Sequence, residues 1–256
     1  MNSPGTKQLI LEVEKTTGFK VIVDTIEGIF EDAQMISARP EMPVHTIRVN
    51  KAKLHSADYI VAIQCAMLIR LWSDPVRIPV FSPIPEKFKY FVERGAKSMS
   101  SSRLPPNLVQ QTSVQLAQGV LNQLRSMPIE IMTIRDCRIE CPDLSVMQSE
   151  AVGAQLRLQS ESFTPKIRSF APEQIWKINV SMNSAYALNW SELSGTKLPM
   201  LPYQSTGFSE IATKLMSEVS THPGKNSESY IQTVDAWANT LGLRTLYKWE
   251  YRNPQP

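Results

Sequence analysis

Ala57-Asp58-Tyr59-Ile60-Val61-Ala62-Ile63-Gln64-Cys65-Ala66-Met67-Leu68-Ile69-Arg70-Leu71-Trp72 is the stretch whose reading decides the fold. It contains no glycine or proline, and its apolar side chains go almost all the way round a helical wheel. That pattern predicts a central core helix rather than a surface one. Ser56 stands where an N-cap belongs, with Tyr59 rather than glutamate three residues on, so the capping box is incomplete. Ser73-Asp74-Pro75 stops the run. Interrupted by Asp58, Gln64 and Arg70, it is too short and too polar for a membrane span.

Upstream, Leu9, Ile10 and Val13 fall at helical spacing and predict a helix over 6–16, with Gly18 as its stop. Phe19-Lys20-Val21-Ile22-Val23 is short and β-branched, a strand. Residues 31–38 alternate weakly and predict a second strand, with Ile29 and Phe30 as further candidates for it. Val44 to Val49 is the clearest strand, with Val44, Thr46 and Arg48 on one face and His45, Ile47 and Val49 on the other. The opening therefore reads helix, three strands, helix: a small sheet backed by the central helix.

Downstream the character changes. Residues 75–85 are proline-rich and read as a loop. Helices are predicted over 86–98, 105–126, 142–160, 172–190, 210–220 and 228–241, the last closed by Gly242. A loop is read over 98–102 and another, holding Pro199 and Pro202, over 193–209. Residues 129–139 are β-branched and ambiguous, a strand or an irregular turn. Residues 244–251 end the chain as a strand or a packed aromatic tail. The class is α+β: a small N-terminal sheet with a central helix, then a mostly helical part. The boundaries fall at 1–74 and 86–256, the two parts packed as one body.

With 256 residues and 42% hydrophobic content, the chain is long enough to bury a real core. Lysine plus arginine exceed aspartate plus glutamate only by 27 − 24 = 3, a balance that argues against a dedicated nucleic-acid binder. Three cysteines imply no disulfide framework and point to a reducing, cytoplasmic setting. The first residues carry no signal-peptide pattern.

The order helix, small sheet, helix resembles the scaffold of the ImmA/IrrE-type and minigluzincin zinc metallopeptidases. The residues that carry the resemblance are His45-Thr46-Ile47-Arg48-Val49-Asn50, then Asp58-Tyr59-Ile60-Val61-Ala62, then Arg70-Leu71-Trp72. Those families carry H-E-x-x-H on the helix: two histidines at i and i+4 hold zinc, and the glutamate activates water. In that register the window falls on Ile63-Gln64-Cys65-Ala66-Met67. Ile63 and Met67 stand at the histidine positions and Gln64 at the general base. Isoleucine has no lone pair, glutamine takes no proton at neutral pH, and a thioether prefers soft metals. The resemblance implies a zincin-like fold with a vestigial motif, no metal and no cofactor. It covers about the first third of the chain. Glu150 is a guess for the downstream glutamate that completes such sites.

Other candidates are weighed on chemistry. Cys65 offers a thiol nucleophile with His45 or His55 as base, against the commoner reading of a buried inert thiol. Cys137 and Cys141 have C-x3-C spacing but lack the second ligand pair of a structural zinc site. Asp24, Glu27, Glu31 and Asp32 form a carboxylate cluster in a loop region. Arg48, Arg70, Arg135 and Arg138 could ring an anion, although Arg70 in an apolar helix is better explained by pairing with a carboxylate such as Asp58, or with a backbone carbonyl. Trp176, Trp190, Trp237, Tyr247 and Trp249 read as core, with a partner surface as the alternative. The site-lining set is His45, Cys65, Arg70 and Glu150. The expected function is a non-catalytic, metallopeptidase-like module that binds a protein or peptide, with no membrane and no nucleic acid. The alternatives are a hydrolase with a non-standard site, or a regulator working with a DNA-binding partner.

Overall fold

The computed structural model describes residues 3–29, 31–74, 77–99, 105–204 and 206–253, with the backbone alone for 106 and 170. The opening is as expected: α1 (Pro4–Thr17), β1 (Lys20–Ile26), β2 (Ala33–Ile36), β3 (Val44–Asn50) and α2 (Ala57–Leu71), which follows a 3-10 turn at Lys51–Ser56. Gly18 closes α1 at a φ of 75°, a left-handed conformation that favours glycine. In the sheet β3 is central, parallel to β1 and antiparallel to β2. Its alternation holds: His45, Ile47 and Val49 are buried, and the other face is half-covered. Ser56 makes no side-chain cap to α2; its hydroxyl donates to Lys53 O, inside the preceding turn.

The rest is mainly helical. It comprises β4 (Ile78–Pro83), α3 (Pro85–Ser98), α4 (Pro106–Glu140), α5 (Ser145–Ser160), α6 (Pro165–Phe170), α7 (Glu173–Ser194), α8 (Leu201–Gln204), α9 (Ser209–Thr221), α10 (Ser227–Leu241) and β5 (Tyr247–Arg252). Three readings are corrected. The described part of the proline-rich stretch is not loop, because β4 pairs antiparallel with β5. A two-stranded ribbon has a free edge on each strand, so Pro79 and Pro83 need not break a ladder. Residues 129–139 are helical: α4 runs unbroken for 35 residues through Pro128. Ile131 and Ile134 are buried there, so packing outweighs β-branched propensity. The third is the loop read over 193–209, which holds a 3-10 turn at Leu198–Met200 and the short α8; α6 falls in a stretch for which no element was read. Phe30, Pro75, Val76, Ser205 and residues 100–102 lie outside the described residues, and with them most of the loop read over 98–102.

One hydrophobic core runs from Leu9 to Tyr247 and holds α2 at its centre. Helix α2 packs on α1, β3, α4 and α10. With the preceding turn it forms a 21-residue helical run, Lys51–Leu71, long and apolar enough to cross a membrane by composition. Over half of that run is buried inside the protein, where its apolar side chains already have partners.

Candidate functional site

One face of α2 is not sealed. Tyr59, Ile60, Ile63, Gln64, Met67 and Leu71 recur at helical spacing and line a cleft of about 870 Å³. This volume suits a ligand site rather than a packing defect. Opposite stand Ala33, Met35 and Ile36 of β2, which is an edge strand bonded to β3 alone. The β4–β5 ribbon contributes Val80, Phe81, Trp249 and Arg252, and α4 contributes Arg125, Ile129 and Glu130. The window Ile63-Gln64-Met67 therefore does face a cleft. Ile63 is 7% exposed at its floor, and Gln64 and Met67 are half-buried.

Glu130 is the chemically distinct group that the sequence reading passed over. It is half-buried in the cleft and accepts a hydrogen bond from Tyr186 Oη at 3.1 Å. Burial pushes its carboxyl up to about 7; the Tyr186 hydrogen bond works the other way, and the charge of Asp32 adds to the rise. Tyr59 and Tyr186, both buried beside it, have their phenols pushed well up, chiefly by burial. Glu130 sat inside a segment read as strand or turn, which is why it drew no notice. The signal was there in one form: a glutamate amid Ile129, Ile131 and Met132.

None of the four residues expected to line the site does so. His45 is fully buried between β3 and α1. Its Nδ1 accepts from Ala38 N at 3.1 Å, and Nε2 bonds Thr17 Oγ1 at 3.0 Å, where it must carry the proton. Burial holds its pKa down to about 4. Phe19 and Trp72 pack edge-on against its ring. Cys65 lies on the opposite side of α2 from the cleft, with burial pushing its thiol up to about 12, which makes it a poor nucleophile. Arg70 turns to Asp136 Oδ2 at 2.5 Å and to the carbonyl of Gly224. Both kinds of partner are as expected, a carboxylate and a carbonyl, but the carboxylate is Asp136 and not Asp58, which accepts from Ser3 N. Glu150 stands exposed on α5, outside the cleft.

The remaining candidates are dispersed. Cys137 and Cys141 are adjacent and buried, and the hydrogen bond between them pushes Cys137 up. Glu27 pairs with Lys51 and Asp32 with Lys53. Arg135 bonds Asn189 and Glu192 rather than joining the neighbouring Arg70–Asp136 pair. Trp237 and Trp190 are core, whereas Trp249 reaches the cleft. Among the described residues no three histidine, cysteine or carboxylate groups come together as a metal site.

Zinc, which the peptidases that the chain resembles hold, does not fit these residues. Ile63, Gln64 and Met67 supply no imidazole, and Glu130 is a single carboxyl held toward its neutral form by its surroundings. No family model matches the chain, and comparison with curated proteins and with solved structures finds no significant match.

Proposed function

We propose that the chain is a non-catalytic, zincin-like module that binds an extended peptide in the cleft over α2. The observation that supports the reading is the pairing of an open cleft with a short edge strand, β2, along its wall. A strand edge offers backbone donors and acceptors to an incoming strand, and the alternating pockets beside it select side chains. Apolar walls from Ile60, Ile63, Met67, Val80 and Phe81 suit such a segment. The resemblance to ImmA/IrrE-type and minigluzincin peptidases supports a peptide-sized cleft at this place, and the emptied motif supports a non-catalytic role. The protein acts in a reducing, cytoplasmic compartment, where its three free thiols are stable.

Two measurements test this. A labelled casein is incubated with the protein with and without a chelator; the expected result is no chelator-sensitive cleavage. A pool of labelled, end-capped heptapeptides is titrated by fluorescence anisotropy against the protein and against Gln64→Trp, which places an indole in the cleft. The expected result is saturable binding that Gln64→Trp removes while circular dichroism stays unchanged. Chelator-sensitive cleavage, or binding that Gln64→Trp leaves intact, overturns the proposal.

A further inference from the structure

The charges of the cleft are unequally used. Its carboxyl groups are each spoken for or set apart: Asp32 pairs with Lys53 at 3.1 Å, Glu130 accepts from Tyr186, and Glu31 is exposed at the rim. Its three guanidinium groups are not. Arg39 reaches only Glu41, at 3.9 Å, with both side chains largely exposed. Neither Arg125 nor Arg252 forms an ion pair, or donates a hydrogen bond through its guanidinium, among the described residues. The Nε of Arg252 is buried and lacks an acceptor.

Arg252 is placed by its strand and its neighbours. It closes β5 opposite Ile78 of β4. Its charge acts on His45, whose Nδ1 is bonded by Ala38 N just beyond β2. So it stands at the end of the cleft where β2 runs out, the end that Ser37 and Arg39 also line. Buried donors without acceptors are uncommon and costly. One on a residue that lines the end of a cleft with a cationic rim marks a place for an anion.

We infer that the cleft selects peptides bearing an acidic side chain, whose carboxylate docks on the Arg252 guanidinium with Arg39 and Arg125 flanking it. The inference rests on the peptide-binding reading above and adds the chemistry of the peptide. A planar guanidinium takes a carboxylate through two parallel N–H donors, which a neutral amide cannot match. The partly buried setting of Arg252 strengthens that preference, and the exposed Arg39 and Arg125 contribute long-range attraction.

The test uses four labelled heptapeptides built on one valine/threonine sequence. Three have both ends capped and carry Glu, Gln or Lys at the centre. The fourth carries Gln and a free C-terminal carboxylate. The capped Glu peptide is expected to bind at least about tenfold more tightly than its Gln twin at low salt. That gap narrows as salt is raised, while the affinity of the Gln peptide holds. Arg252→Met removes the gap, so that the Glu and Gln peptides bind the variant alike. The salt series on the unaltered protein carries the test on its own should that variant fold poorly. Equal binding of the capped Glu and Gln peptides overturns the charge preference while peptide binding itself stands. If the free-ended Gln peptide binds as well as the Glu peptide, the docked group is a chain terminus and the side-chain assignment is overturned. If none of the four binds, the peptide-binding reading fails and this inference falls with it.

Discussion

Glu130→Gln changes a carboxyl for its neutral isostere, and the structure sets how the change reads out. The buried carboxyl is pushed from 4.5 up to about 7. Between these values the unfolded chain has lost the proton and the folded one keeps it, so stability falls as pH rises. The full effect is about 2.5 pH units at ~1.36 kcal/mol each, or roughly 3 kcal/mol, reduced to about 2–3 because water reaches the half-open cleft. His45 works against it. Its pKa is held down from 6.5 to about 4, so its contribution is lost as pH falls through that window. In the unaltered protein the two slopes oppose between pH 4.5 and 6.5 and nearly cancel. In Glu130→Gln only the His45 slope remains, so stability climbs through that range. The variant's Oε1 still accepts from Tyr186, so at pH 4.5 the two proteins should be equally stable. At pH 8 the variant should be the more stable by about 2–3 kcal/mol, on the order of a 1 M shift in the urea midpoint. The assay is urea unfolding followed by tryptophan fluorescence at pH 4.5, 5.5, 6.5 and 8. The His45 term is common to both proteins and drops out of the difference. A gap that stays constant across pH would show that Glu130 is not held protonated, and the reading of the cleft floor would fail.

Three more outcomes follow from the same geometry. Ile63→His with Gln64→Glu and Met67→His puts two imidazoles on the cleft face of α2, with the Glu130 carboxylate in the same cleft as a third, oxygen ligand. The folded triple variant should gain chelator-reversible zinc binding by calorimetry, where the parent shows none; a folded variant without it refutes the H-E-x-x-H register. Ile63→Asp, at a position 7% exposed, should cost about 3 kcal/mol or more; a parental melting curve would show that Ile63 is not packed. Arg70→Met breaks a pair whose arginine side chain is 3% exposed and whose aspartate is 21% exposed, and leaves the Gly224 carbonyl unbonded. Urea unfolding should show a loss of about 3 kcal/mol, the low end for a buried pair because Asp136 keeps some water; a loss near zero would refute the tie between α2 and α4.

The first 72 residues were legible because each signal there is local. Alternation over Val44–Val49 and an unbroken apolar run over Ala57–Leu71 each depend on neighbours in sequence. What escaped depends on partners far away. The strand β4 is defined by β5, which lies more than 160 residues on. The middle of α4 is helical because Ile131 and Ile134 find a core, not because of their propensity. The window Ile63-Gln64-Met67 was singled out through a family resemblance and does lie on a cleft-facing helix, yet nothing in that reading could name Glu130, whose helix was not recognised there. His45, Cys65 and Arg70 were singled out for their chemistry. Burial, which sequence shows only indirectly, makes them structural: each is 2% exposed or less.

The β4–β5 ribbon also sets an order of events. Helix α2 and the edge strand β2 are complete within the first 72 residues, so half the cleft exists early in synthesis. The facing wall, with Trp249 and Arg252, can close only after the chain has been made through Arg252 and has travelled back to meet Ile78–Pro83. Until then the apolar stripe of α2 lies open. A nascent chain therefore presents an apolar floor that has Arg39 beside it but not Arg252, and, if the cleft selects peptides as proposed, it gains that selectivity only when the ribbon closes. A stop or nick a few residues before Tyr247 would leave α2 and the small sheet intact but hold the molecule in that unselective state.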